Sequence, residues 1–189
     1  FARPRDTRVQ QIDVTGTVDR VLELLATQGK LQEVGLERDV NAPLPLVEAD
    51  PFQLEQVLVN LMLNAIDAME GTSDAKLRVV VRHRFVPPEP RTGSRRRDDP
   101  PDVDYSHRRR FHRQARIPNP NPFPDGGDVV EILVVDNGPG IAEDLLDQVF
   151  EPFVTSKEPG QGTGLGLAVS ARLIDAMGGT IYAESPPGE

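Results

Sequence analysis

An α+β domain is the fold class that this sequence predicts, on two observations. Leu77–Phe85 and Val129–Val135 are short runs rich in β-branched residues, bounded by polar or turn-forming stretches. Pro51–Glu70 and Thr163–Met177 are longer, with helical periodicity and helix punctuation at their ends.

Composition sets the bounds. The chain has 189 residues, which fits one domain or one domain with an insertion. Hydrophobic residues make up 38%, enough for a core if part of the chain stays outside it. There are no cysteines, which excludes disulfides and thiolate metal sites. No apolar run reaches the length of about 18 residues that a membrane helix needs, and no secretory pattern is present. A cytoplasmic domain is expected, from a parent that could itself be membrane-anchored. Net charge is −9 but uneven. Residues 82–116 hold eleven arginines against five acids, which makes them +6 and the remainder −15. An acidic body with one basic stretch is not the footprint of a nucleic-acid-binding domain, so no nucleic acid is expected as partner, nor a membrane surface.

Taken in order, Gln10–Val14 reads as a short strand. Val18, Val21, Leu22, Leu25 and Leu31 recur at three- and four-residue spacings, which predicts a helix over 14–34. Leu36–Val40 and Leu46–Ala49 read as short strands around a proline turn. Asp50-Pro51-Phe52-Gln53 starts the next helix: Asp50 caps, Pro51 suits the first helical position, and Gln53 closes a capping box. That helix runs to about Glu70 and stops near Gly71. In Leu77–Phe85, Val79 and Val81 share one face. Val129–Val135 is apolar on both faces, which predicts a central strand. Ala142–Val149 reads as a short helix. Thr163–Met177 reads as a helix stopped by Gly178-Gly179 and followed by a strand over Thr180–Glu184. Pro87–Asp128 is rich in Pro, Arg, Asp and Gly and nearly free of aliphatic residues, so it reads as an exposed insertion.

Two constellations carry chemistry. Asp136-Asn137-Gly138-Pro139-Gly140 ends the second strand run, placing one carboxylate and two glycines where a ligand base could lie. Gly162-Thr163-Gly164-Leu165-Gly166-Leu167 opens the last helix, where backbone N–H groups can approach phosphate. Together they suggest a purine nucleotide. On the helix over 51–70, Gln53, Gln56, Asn60, Asn64 and Asp67 fall on a stripe about 80° wide at 100° per residue. Gln53 and Gln56 fit a solvated face equally well. Two asparagines one turn apart on so apolar a helix point to a ligand or metal, because unpaired amides are costly to bury. Asn64 offers a neutral oxygen of the kind Mg²⁺ accepts beside substrate phosphates.

Four ordered motifs resemble one family. Asn60-x3-Asn64-Ala65, Asp136-x-Gly138-x-Gly140, Phe150-Glu-Pro-Phe153-x3-Lys157 and Gly162-x-Gly164-x-Gly166-Leu167 look like the N, G1, F and G2 boxes. These mark the catalytic ATP-binding domain of bacterial sensor histidine kinases, in the Bergerat-fold superfamily. The spelling is most similar to the nitrogen- and dicarboxylate-sensing subgroup. The resemblance covers about 10–86 and 129–185.

It implies a two-layer α/β sandwich, a mixed sheet with helices on one face, binding ATP or ADP with Mg²⁺. By the resemblance, Asp136 accepts from the adenine amine, Gly138 and Gly140 leave room for the base, and Ile141 lines it. Asn64 holds Mg²⁺ and Asn60 sits beside the phosphates. Lys157 reaches the terminal phosphate, and Gly162, Thr163, Gly164, Leu165, Gly166 and Leu167 cradle the triphosphate. Phe153–Gly162 forms the lid, anchored by packing of Phe150 and Phe153. Asp67 stands where many relatives carry a basic residue. Residues 1–9 are expected to be the linker from an upstream dimerisation and phosphoacceptor hairpin, with 10–189 a single catalytic domain. None of His83, His107 and His112 sits in an acceptor-like helix, so the acceptor histidine is expected elsewhere in the parent. Expected partners are that acceptor domain and a response regulator. The alternatives are an ATP hydrolase of the same superfamily, for which Asn60 stands in place of the glutamate base, and a nucleotide-sensing or partner-docking module without catalysis.

Overall fold

The computed structural model describes residues 9–41, 43–88, 114–116, 123, 125–157 and 162–185. Strand β1 (Gln10–Ile12) is followed at once by helix α1 (Val14–Thr27). The expected strand therefore ends two residues early, because Asp13 caps the helix: its Oδ1 accepts from the Thr15 N–H at 2.9 Å. Helix α1 also ends short of Val34. Gly29 turns the chain out with φ of 74°, and Leu31 and Val34 reach the core from the loop beyond.

Strands β2 (Gly35–Asn41) and β3 (Val47–Ala49) lead to helix α2 (Pro51–Ala68). Asp50, 7% exposed, accepts from the N–H groups of Phe52 and Gln53. Gln53 departs from a full capping box. Its side-chain amide donates to Asp50 Oδ2 at 3.4 Å instead of reaching back to the backbone. After Met69 the chain turns through Gly71, at φ of 78°.

The sheet has the order β2–β4–β6, with β4 (Lys76–Val86) parallel to β2 and antiparallel to β6 (Gly127–Asp136). It is mixed, as expected. Leu77, Val79 and Val81 of β4 are fully buried against Val18 and Leu25 of α1 and Met62 of α2. Helices α1 and α2 thus cover one face and make the second layer. The centre of this sheet is β4, and β6 is an end strand among the described residues, contrary to the expectation from its sequence. Apolarity on both faces reports how well the faces are covered, and says nothing about how many strands flank the edges. Val130, Ile132 and Val134 pack on the main core, whereas Val135 is 47% exposed.

Most of 87–128 lies outside the described residues, but Gln114–Arg116 forms strand β5, which pairs antiparallel with β7 (Tyr182–Glu184). A strand there was not expected. Between β6 and β7 come α3 (Glu143–Leu146) and α4 (Gly166–Ala176), both shorter than expected. A small second core joins Leu146 and Val149 to Phe150, Leu167 and Ala183. Gly178, at φ of 75°, follows the end of α4.

Strand β7 is also tied to β6 through side chains. Tyr182 Oη donates to Glu131 Oε1 at 2.8 Å, Arg84 donates to the same oxygen at 2.9 Å, and Arg82 donates to Oε2 at 2.5 Å. Burial alone would raise the Glu131 carboxyl, but hydrogen bonds from Tyr182, Arg82 and Arg84 hold it below the ordinary carboxylate value. Burial and the bond to Glu131 push the Tyr182 hydroxyl up to about 12.

Candidate functional site

Helix α2 is the axis on which the four sequence motifs meet. At its C-terminal end lies the loop after β6. Asp136 Oδ1 accepts from the Gly138 N–H at 2.9 Å, which folds the loop back on the strand end. Asp136 Oδ2 has no partner among the described residues. A Cβ on Gly138 would stand 3.0 Å from the Ala68 carbonyl oxygen, so this loop touches the last residue of α2. Gly140 has φ of 76°, and a side chain there would meet Ser185 Oγ. That hydroxyl accepts from the Ile141 N–H at 2.8 Å.

Two residues that hold this loop were not singled out in the sequence. Asn137 Oδ1 accepts from the Lys76 N–H at 2.7 Å, and its amide donates to the Asp74 carbonyl at 3.0 Å. It staples the loop to the turn before β4. Ser185 is the other. Asp-Asn-Gly is itself a turn signal, whereas nothing in the sequence marks Ser185.

In the middle of α2, the Asn60 amide donates to Ser170 Oγ of α4 at 2.9 Å. Ser170 is 1% exposed. A Cβ on Gly166 would overlap the Asn60 side-chain oxygen. Glycine there lets the first turn of α4 lie directly on α2. No side chain caps that turn, so its leading N–H groups lack the usual partner. Asn64 is half-buried on the same face of α2 as Asn60 and has no hydrogen-bond partner among the described residues.

The last turn of α2 carries Asp67, whose Oδ2 lies 2.6 Å from Lys157 Nζ. Lys157 and Asp67 were expected near the phosphates, and the structure joins them to each other. Phe153 and Gly164 meet through left-handed backbone. Phe153 has φ of 69°, and its N–H donates to the Gly164 carbonyl at 2.9 Å. Gly164, at φ of 62°, could carry no side chain, because a Cβ would come within 2.5 Å of the Phe153 backbone.

Packing was expected to anchor both phenylalanines. Phe150 does pack in the second core, but Phe153 is 76% exposed. Its unusual φ turns the ring outward, and a backbone bond does the anchoring. Leu167 also packs in the second core, whereas Leu165 and Ile141 are partly exposed beside the glycine turns. Thr163 Oγ1 accepts from the Leu165 N–H at 3.4 Å, and Gly162 lies against Lys157 and Thr155. Gln53 is engaged with Asp50 at the start of α2, and Gln56 lines an open groove of about 520 Å³ between α1 and α2 with Phe52, Leu24 and Asn60. His83 lies on β4, paired with Asp128 at 2.8 Å. His107 and His112 fall outside the described residues.

Residues 49–189 match the model of the histidine kinase-, DNA gyrase B- and HSP90-like ATPases. The chain belongs to this family. Among its relatives, the sensor histidine kinase ZraS of Escherichia coli K12 is 30% identical over 189 residues, and the sensor kinase CckA of Brucella abortus is 35% identical over 191. Both alignments take in the whole chain but only 31% and 17% of those proteins, so the chain spans a third or less of their length. The crystal structure of full-length ShkA in complex with AMPPNP superposes on 98% of the chain with a TM-score of 0.58 at 23% identity. The ATPase fold of this family, with its helices layered on a mixed sheet, is therefore the fold of this chain. Among the described residues no helix is long and apolar enough to cross a membrane.

Proposed function

We propose that the chain binds Mg-ATP as phosphoryl donor for autophosphorylation of a histidine carried elsewhere in a two-component sensor kinase. One observation carries the reading: the loop after β6, Lys157 and the first turn of α4, all distant in sequence from α2, converge on a single face of that helix. Gly138 lies against Ala68, Gly166 against Asn60, and Lys157 pairs with Asp67. Asn64, without a hydrogen-bond partner among the described residues, stands between them.

Each element fits adenine nucleotide chemistry. Asp136 spends Oδ1 on the Gly138 N–H and keeps Oδ2 for a donor. A carboxylate accepts from the adenine amine but has no proton for the guanine carbonyl. The uncapped first turn of α4, approached through glycines, suits phosphate oxygens. The amide oxygen of Asn64 suits Mg²⁺ shared with phosphates, and the cation would supply charge neutralisation there. Among the described residues no three of His, Cys, Asp and Glu cluster as a metal site of their own.

Transfer is favoured over hydrolysis by Asn60. Its amide is held by Ser170 and supplies no basic oxygen to take a proton from water. The kinase relatives support an acceptor domain and a response regulator as partners.

Calorimetric titration tests the reading. The wild-type chain is expected to bind ATP in preference to GTP. Asp136→Asn, which keeps the turn-forming oxygen, is expected to weaken ATP binding about 10- to 100-fold, the range for a hydrogen bond to a charged group. No adenine nucleotide binding by the folded wild type, or unchanged affinity in the folded variant, would overturn it.

A further inference from the structure

We infer that Asp67 sets the phosphate affinity of the site by competing with the nucleotide for the Lys157 ammonium. The inference rests on the nucleotide reading above. Asp67 lies one helical turn beyond Asn64 on α2, and its Oδ2 is 2.6 Å from Lys157 Nζ. The stem of Lys157 is held in place by its surroundings. Its N–H donates to Thr155 Oγ1 at 3.2 Å, and Gly162 leaves only the space of a hydrogen beside Lys157 Cδ. The ammonium thus meets the last turn of α2, one helical turn beyond Asn64.

A carboxylate at this distance satisfies the ammonium in the free protein. A phosphate oxygen that takes its place removes that partner, and Asp67 is then left as a negative charge facing a polyanion. Both effects oppose binding, and both grow with the number of phosphates that reach Lys157. Adenosine, which brings no phosphate, is indifferent to Asp67. The pair is partly solvent-exposed, with side-chain exposures of 34% and 41%. Its strength is therefore modest and falls with salt.

Asp67→Asn removes the charge and keeps the shape at an exposed position. ATP is expected to bind this variant about two- to fivefold more tightly than wild type at low salt, the range for an exposed ion pair. ADP gains less, adenosine is unchanged, and the ATP gain shrinks as salt is raised. A second readout uses no nucleotide: trace acetylation of the free protein, with Lys157 labelling measured against Lys30. Lys157 is expected to react more slowly in wild type than in Asp67→Asn. Equal labelling overturns the inference. So does ATP affinity that is equal or weaker in Asp67→Asn while wild type binds ATP; weaker binding assigns Asp67 to holding the cation instead. Wild-type protein that binds no adenine nucleotide overturns the nucleotide reading and this inference together.

Discussion

The two walls of the site are built on different physics. One wall is α2 with the end of β6. It rests on fully buried Met62, Leu77, Val79 and Val81 and is locked by the two bonds of Asn137. The other wall, described at 153–157 and 162–166, rests on left-handed backbone at Phe153 and Gly164 and on one exposed ion pair. The first wall carries Asp136 and Asn64, the side chains that the proposed function assigns to the base and the cation. The second carries the uncapped first turn of α4 and the Lys157 ammonium, neither of them part of the main hydrophobic core. A domain that must recognise one nucleotide and also take up and release its phosphates gains from keeping these two duties on separate supports.

The strongest way to break this comparison is to hollow out the first wall. Met62→Ala is expected to cost about 2–5 kcal/mol of stability, as a buried truncation does. Urea unfolding measures it, and a loss under about 1 kcal/mol, far below that range, would mean that α2 is not the packed support described. The second wall should respond differently. Gly164→Ala is expected to cost at least about 1–2 kcal/mol of stability, the penalty for a left-handed residue alone. Its effect on ATP affinity should be disproportionate, because the added Cβ meets the Phe153 backbone. Calorimetry beside unfolding separates the two; a variant that loses stability and keeps its affinity would remove the distinction between the walls.

The smallest effect sharpens the far side of the first wall, where Tyr182 fixes β7 to Glu131 and Ser185 then holds the Ile141 N–H. Tyr182 is raised from 10.0 to about 12 in the folded chain. Its contribution is complete below about pH 10, the unfolded value. It is lost as pH rises toward about 12. Tyr182→Phe is expected to flatten that alkaline part of the stability profile, as followed by thermal unfolding between those values. An unchanged profile would mean that the Tyr182–Glu131 bond does not form.

The sequence was most legible where local chemistry decides. Asp50-Pro51 announced the start of α2 because capping involves neighbouring residues only. The asparagine stripe and the glycine motifs marked the candidate site because few other roles call for those residues at those spacings. Long-range events left no local mark. The place of β6 at the end of the described sheet, the strand at Gln114–Arg116, the Asn60–Ser170 bond and the Lys157–Asp67 pair each depend on partners far away in the chain. Phe153 misled because a phenylalanine normally packs, whereas here its backbone is left-handed and bonded to Gly164. Helix α1 overran in the reading because Leu31 stays in phase although Gly29 has already turned the chain.

The most direct test of the convergence on α2 is an amide NMR titration of the 189-residue chain with Mg-ATP. Shifts are expected to appear together, with one saturation point, at Asp136–Ile141, around Asn64, and at Gly162–Leu167. Shifts confined to the groove between α1 and α2, around Leu24, Phe52 and Gln56, with the glycine loops unmoved, would contradict that convergence.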